Sequence, residues 1–237
     1  MPDKIHTDPA HPRFFGRRRG KKLRTTAQGL IETLLPKLSI ALPPEGQGLD
    51  PAALFDQAKS EYWLEVGFGG GEHAAWQAAH NPEIGLIGAE VFLNGIASLL
   101  GHIEEGGIDN IRIYAEDVRQ LLPRLPKASL SRVFVLFPDP WPKSRHVDRR
   151  FVHDDNLDVI SPLLRPGGIL RVASDDETYK AWAQEVMAAR KDFENITDDP
   201  GKKPEDWPAT RYEAKALKAG RKPIFLSYRR LADPASS

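Results

Sequence analysis

The sequence predicts an α/β fold: a doubly wound, mostly parallel, seven-stranded sheet with helices on both faces. Three observations carry this. Short apolar runs alternate with segments of helical spacing along most of the 237 residues. The runs are continuous rather than alternating, as strands covered on both faces require. The first core run ends in Gly67-Phe68-Gly69-Gly70-Gly71, and a glycine cluster there lets backbone N–H groups approach a ligand that a Cβ would exclude.

The elements follow in order. Residues 1–25 read as a basic, flexible arm, and 26–237 as a single domain. Residues 13–24 of the arm hold seven basic residues and no acid. The adjacent Phe14 and Phe15 suit an arm that orders on nucleic acid. From Thr26, the spacing of Leu30, Ile31, Leu34, Leu35 and Leu38 predicts a helix with one apolar stripe. A short helix over 51–59 leads into the core. Strands are expected at 63–68, 86–91, 111–115, 132–137 and 169–173, and helices at 72–79, 93–104, 118–122, 153–164 and 178–190. Pro166-Gly167-Gly168 marks the stop between the fourth of these helix-strand units and the fifth strand. A strand at 224–230 closes the chain, with one or two late strands in all. The stretch 192–209, rich in Asp, Lys and Pro, reads as a candidate mobile lid.

The net charge is zero, but its placement is uneven: +6 over residues 1–25, −8 over 26–142 and +2 over 143–237. That distribution fits a polyanion held by the ends and a cationic ligand held in the middle. The chain has no cysteine, which excludes disulfides, thiolate metal sites and a cysteine nucleophile. No apolar run approaches the roughly 20 residues of a membrane helix, and the basic N-terminus has no apolar stretch behind it. A cytoplasmic protein without membrane or metal partners is expected; monomer and homodimer stay open.

In such a sheet, ligands bind outside the C-terminal strand ends. Acids fall there in succession: Glu65 beside the glycines, Glu90, Glu116-Asp117, Asp139, and Asp175-Asp176. Glu65 lies two residues before Gly67, where it would repel a pyrophosphate but tolerate a cation. S-adenosylmethionine carries a sulfonium, an ammonium and no phosphate. Glu90, 23 residues beyond Gly67, is placed for ribose hydroxyls, or for capping a helix. Asp117 is placed to accept from an adenine amine, or to cap the helix after it. A dinucleotide fingerprint fails, because after Gly67 and Gly69 its third glycine position is Glu72.

The run Phe137-Pro138-Asp139-Pro140-Trp141-Pro142-Lys143-Ser144-Arg145-His146 resembles the signature of the bacterial tRNA (guanine-N7-)-methyltransferases. So do Leu64 to Gly71, Arg149-Arg150 and Thr210-Arg211-Tyr212-Glu213, and the likeness spans Phe14 to Arg230. It implies a Rossmann-like class I methyltransferase that moves a methyl group from S-adenosyl-L-methionine to N7 of guanine 46 in the tRNA variable loop. By motif position Glu65, Glu90, Asp117 and Asp139 contact the cofactor, with Gly67 and Gly69 in the loop, and Asp139 is the catalytic residue. Lys143, Asp175, Thr210, Arg211, Tyr212 and Glu213 contact the substrate, and Arg145, Arg149 and Arg150 the RNA. The chain departs from the pattern at Val147-Asp148, where the family carries a fuller basic cluster.

The chemistry is compatible. Guanine N7 has a lone pair and no proton, so orientation rather than a strong base is the task, and no histidine–carboxylate pair stands out at a strand end. Asp139, stiffened between two prolines, can hold the donor edge of guanine and favour its cationic product. Trp141 offers a stacking face. The alternatives are a class I methyltransferase with another RNA or small-molecule acceptor, a non-catalytic RNA-binding module on the same fold, and a nicotinamide-dependent oxidoreductase.

Overall fold

The computed structural model describes residues 16–232. Seven strands form one sheet: β1 (Glu61–Val66), β2 (Ile84–Ala89), β3 (Ile111–Tyr114), β4 (Leu130–Leu136), β5 (Leu164–Ser174), β6 (Phe193–Asn195) and β7 (Ile224–Arg230). Their order is β3-β2-β1-β4-β5-β7-β6. Only β7 runs against its neighbours; the other pairs are parallel. The order reverses between β1 and β4, so loops leaving their C-terminal ends diverge and open a crevice.

Helices α1 (Thr25–Thr33), α2 (Leu35–Leu38), α3 (Glu72–His80) and α4 (Leu93–Gly106) accompany the core formed by Trp63, Leu86, Ile111 and Phe134. Helices α5 (Val118–Leu121), α6 (Asp154–Leu163) and α7 (Glu177–Ala189) serve the other core, around Leu64, Ile87, Val133 and Leu170. Adjacent residues such as Trp63 and Leu64 belong to opposite cores and are both buried. That alternation explains the continuous apolar runs. The last helix, α8 (Arg211–Lys218), precedes β7.

Several sequence expectations shift. The strands read as starting at Trp63 and Leu86 begin two residues earlier, at Glu61 and Ile84. The charge at Glu61 masks its place: the carboxylate accepts from Trp63 Nε1 at 3.0 Å and Ser131 Oγ at 2.8 Å. The single stripe at 30–38 divides into α1 and α2, with Pro36 in the first turn of α2. The helix expected over 51–59 is one 3₁₀ turn, Pro51–Leu54, after which Phe55 leaves in extended conformation and is buried.

The reading of 192–209 as a mobile lid is corrected. Phe193–Asn195 pairs with β7 as the seventh strand. Trp207 is buried against Phe225 and His73. Asp206 Oδ2 meets Arg132 Nη1 at 3.1 Å and Arg171 Nη1 at 2.8 Å. A polar composition suggested mobility, but these ion pairs and one tryptophan fasten the segment to the sheet.

Candidate active site

β1 stops where Gly67 and Gly69 take positive φ values of 63° and 56°, a region that glycine enters without strain. The turn points Gly69 N–H at Glu90 Oε2, 2.8 Å away. The other oxygen of Glu90 accepts from Val91 N at 2.8 Å and Phe92 N at 2.9 Å. Burial is the strongest influence on this carboxyl and, with Asp139 nearby, holds its pKa above the ordinary 4.5 despite those three donors. Glu90 thus ties the glycine loop to the start of α4 with a lone-pair position to spare.

A cavity of about 360 Å³ opens at this crevice. Gly67, Gly69, Glu90, Asp117, Asp139 and Tyr212 all line it, together with Glu116, Trp141, Asp148 and Arg149. The ends of β1, β2, β3 and β4 therefore converge as expected. The fifth acid group does not join them. Asp175 Oδ2 accepts from Arg221 Nε at 2.6 Å, and Asp176 caps α7 through Tyr179 N at 3.0 Å. Neither lines the cavity.

Asp117 combines its two readings. It is 6% exposed, caps α5 through Arg119 N at 3.0 Å and holds the Arg119 guanidinium at 2.6 Å, yet it forms part of the wall. Arg119 carries no distinguishing spacing in the sequence, since an arginine in the first turn of a short helix is an ordinary surface residue.

Beyond β4 the backbone is strained. Phe137 and Trp141, on either side of Pro138-Asp139-Pro140, have φ values of 50° and 41°. Side chains with a Cβ disfavour this region by roughly 1–2 kcal/mol each, so the surroundings must impose it. Phe137 N–H donates to Ala173 O at 2.8 Å, and its ring stacks on Tyr212 at 6.5 Å with 16° between planes. Arg150 holds the other side, donating to Pro140 O at 3.1 Å and Trp141 O at 3.2 Å. The result is an exposed Asp139 at the cavity mouth on a loop braced at both ends.

Arg150 lines the cavity beside Arg149 but is 4% exposed, with its guanidinium 5.0 Å from the Trp182 ring, so it braces the loop from within. An arginine beside another arginine looked like a basic surface; burial turned one of them into a strut. Arg149 does reach the mouth, over the Trp141 ring at 5.0 Å. Lys143 and Arg145 are exposed on the 3₁₀ turn Ser144–Arg149 or just before it. Loss of hydration, then Arg149, Arg145 and Lys143, push the His146 pKa below its ordinary 6.5. That marks the turn as electropositive.

The Thr210 to Glu213 group closes over the glycine loop. Thr210 caps α8 through Glu213 N at 3.2 Å, and Glu213 Oε2 meets Lys203 Nζ at 3.1 Å. Arg211 Nε lies 3.1 Å from Glu72 Oε1. A Cβ on Gly69 would stand 2.6 Å from the Tyr212 ring, and one on Gly70 would stand 1.8 Å from Arg211 Nη2. Those glycines make room for a protein segment as well as for a ligand. Of the four residues, only Tyr212 lines the cavity.

Glu65 sits behind this face, in a smaller space that shares Gly67, Leu136, Phe137 and Tyr212 with the main cavity. It is 2% exposed, with Oε2 at 2.7 Å from His73 Nδ1. This is the histidine–carboxylate pair that the sequence did not reveal. Gln77 Nε2 donates to Asp206 O at 2.7 Å and lies 3.2 Å from His73 Nε2. Its second N–H fits that nitrogen, which leaves Nδ1–H to donate to Glu65. The available signal was local: His73 and Gln77 are polar, four apart, on the buried face of α3 with Ala74 and Ala78.

Among the described residues, no group of His, Asp or Glu is arranged to hold a metal ion, and no helix is long and apolar enough to cross a membrane. The cavity is lined by acids, aromatics and the arginines Arg17, Arg119, Arg149 and Arg150; the carboxyl groups of Glu90, Asp117 and Asp139 suit a ligand rich in donors and positive charge.

Known proteins share both sequence and fold with this chain. Residues 59–226 match a family model described as "Putative methyltransferase". A tRNA (guanine-N(7)-)-methyltransferase of Paramagnetospirillum magneticum is 58% identical over 224 residues, covering 93% of this chain and 94% of that relative. One of Rhodospirillum rubrum is 51% identical over 244 residues, covering 100% and 94%. The structure of a 16S rRNA (adenine(1408)-N(1))-methyltransferase mutant with cosubstrate SAM, from Catenulisporales acidiphilia, superposes with a TM-score of 0.53 at 16% identity, over 81% of this chain and 95% of that one. The 16S rRNA methyltransferase KamB gives 0.55 at 15% identity, over 77% and 91%. At such identities the structures establish the α/β methyltransferase fold.

Proposed function

This chain belongs to the bacterial tRNA (guanine-N7-)-methyltransferase family, and on that premise we propose that it methylates N7 of guanine 46 in the tRNA variable loop, with S-adenosyl-L-methionine as donor. The observation that carries the reading is the exposed Asp139 on its braced loop at the mouth of the cavity that Glu90 and Asp117 also line. When bound, S-adenosyl-L-methionine supplies an electrophilic methyl group on a sulfonium. Glu90 would accept from the ribose and Asp117 from the adenine. Gly67 would bring backbone close to the ligand, with Glu65 as the negative group behind it.

Asp139 faces the acceptor side. Its carboxylate can take hydrogen bonds from the Watson–Crick edge of guanine, fixing N7 towards the cavity and favouring the positive charge that the purine acquires. No proton leaves N7, so the buried Glu65–His73 pair has no proton to collect from substrate. Arg149 at the mouth and the exposed Lys143 and Arg145 on the adjoining turn suit phosphates, Trp141 and Tyr212 offer faces to a base, and the basic arm adds to the grip. Phe14 and Phe15 lie outside the described residues. A tRNA substrate would place the enzyme in the cytoplasm.

The test is methylation of unmodified tRNA, mapped by borohydride and aniline cleavage. Cleavage at guanine 46 is expected with the wild-type protein. Asp139→Ala should lower the rate about 10²–10³-fold with the melting temperature retained. Cleavage elsewhere would refute the position, and full activity of Asp139→Ala would remove that residue from the chemistry.

A further inference from the structure

The described end of the basic arm is docked. Arg18 O accepts from Leu93 N at 2.9 Å, at the start of α4. Gly20 N–H donates to Asn94 Oδ1 at 2.7 Å, and Asn94 Nδ2 donates to Lys21 O at 2.8 Å. One side-chain amide thus serves a donor and an acceptor of the passing main chain at once, as a neighbouring strand would. Arg18 Nη1 also meets Glu116 Oε2 at 2.8 Å. Gly20 fits closely: a Cβ there would stand 2.8 Å from both Asn94 Oδ1 and Phe92 Cζ.

The residues just upstream, Gly16 and Arg17, line the cavity, as do Val91 and Phe92. Asn94 does not line it. The arm segment that Asn94 holds is a route by which it can act on a ligand.

We propose that Asn94 is a positioning residue that latches residues 18–21 onto α4, so that Gly16 and Arg17 close the mouth of the cofactor cavity. This rests on the reading of that cavity as the S-adenosyl-L-methionine site. The latch consists of a few hydrogen bonds at a part-exposed edge, so it can open for exchange and close behind the cofactor. No proton or bond of the reacting groups involves Asn94, and its signature is retention of cofactor rather than speed of chemistry.

The experiment measures S-adenosylhomocysteine binding by calorimetry in the full chain, and the tryptic cleavage rate of the arm at Arg17, Arg18, Arg19 and Lys21 with and without that compound. In the wild type the ligand should slow cleavage. Asn94→Ala should weaken binding about three- to thirtyfold, the range for one or two lost hydrogen bonds. It should also abolish the protection and raise KM for the methyl donor, leaving kcat at saturation within about twofold. Gly20→Val attacks the same contact from the arm and should do the same, with melting temperatures checking the fold. Unchanged affinity and protection in both variants would overturn the latch. So would a lowered kcat and melting temperature with KM unchanged, which indicates support of the fold only. If the wild type itself failed to bind S-adenosylhomocysteine, the proposed function would fall and the latch with it.

Discussion

Two polar regions lie on opposite sides of the glycine loop and use charge differently. At the mouth, Asp139 is exposed on a backbone held in unfavourable torsion at Phe137 and Trp141. Beneath the loop, Glu65, His73 and Gln77 are each no more than 3% exposed and hydrogen-bonded in a chain that ends on Asp206. In the first region the backbone bears the strain and the carboxylate stays in water, ready for a ligand. In the second the backbone is regular helix and strand, and the side chains satisfy one another. A charge destined for chemistry is cheapest at a surface; a charge in the interior survives only when paired.

The comparison is broken most severely by His73→Ala. It strands Glu65 without its donor, and a loss of about 3–5 kcal/mol in unfolding free energy is expected, measured by urea denaturation. A change below 1 kcal/mol would show that the network is ornamental. Arg150→Ala comes next. It deprives two carbonyls of the strained loop of their donors, for about 2–4 kcal/mol. Methylation should fall with it because the loop that carries Asp139 loses its brace; Arg150→Lys should not restore it, because a point charge lacks the fork.

Smaller effects sharpen the contrast. Lys143→Ala and Arg145→Ala should each reduce the salt dependence of tRNA binding by about one unit of slope, leaving stability unchanged; filter binding across a salt series decides this. A pH effect belongs to the half-exposed Asp206 at the end of the buried chain. Burial works against ionisation of Asp206, but Arg171 and Arg132 outweigh it and hold its pKa below the ordinary 3.8. The unfolded chain then takes up the proton first, so this stabilisation is complete above about pH 4 and is lost as pH falls through the lower folded value. Asp206→Asn should flatten the fall in melting temperature as pH drops below about 4. The mildest test lies away from both regions. Ala128 is exposed with φ 55°, and Ala128→Gly should relieve about 1 kcal/mol of backbone strain with no change in activity.

Much of the site was legible because it lies at strand ends. Gly67, Glu90, Asp117 and Asp139 each follow an apolar run directly, and the fold brings such positions together whatever the loops do. What failed was any reading that needed a side chain's direction. Arg149 and Arg150 are neighbours in sequence and both line the cavity, yet Arg149 lies over the Trp141 ring while Arg150 is buried against Trp182 and two loop carbonyls. Asp175 follows the fifth strand as Asp139 follows the fourth, but is held by Arg221 instead. Composition misled at 192–209, where a short strand, Asp206 and Trp207 are enough to dock the segment.

The sequence by itself determined the layered architecture, the loop that opens it and the acids around that loop, because periodicity and chain order are local properties that a parallel sheet converts directly into position. The tertiary structure alone decided the partners: His73 for Glu65, Arg221 for Asp175, Arg150 for the carbonyls beside Asp139, and Asn94 for Gly20 and Lys21. These pairs join residues on different elements, and no local pattern encodes them. Each is selected by burial, since a polar group removed from water must find whatever complement the packing brings within hydrogen-bond reach.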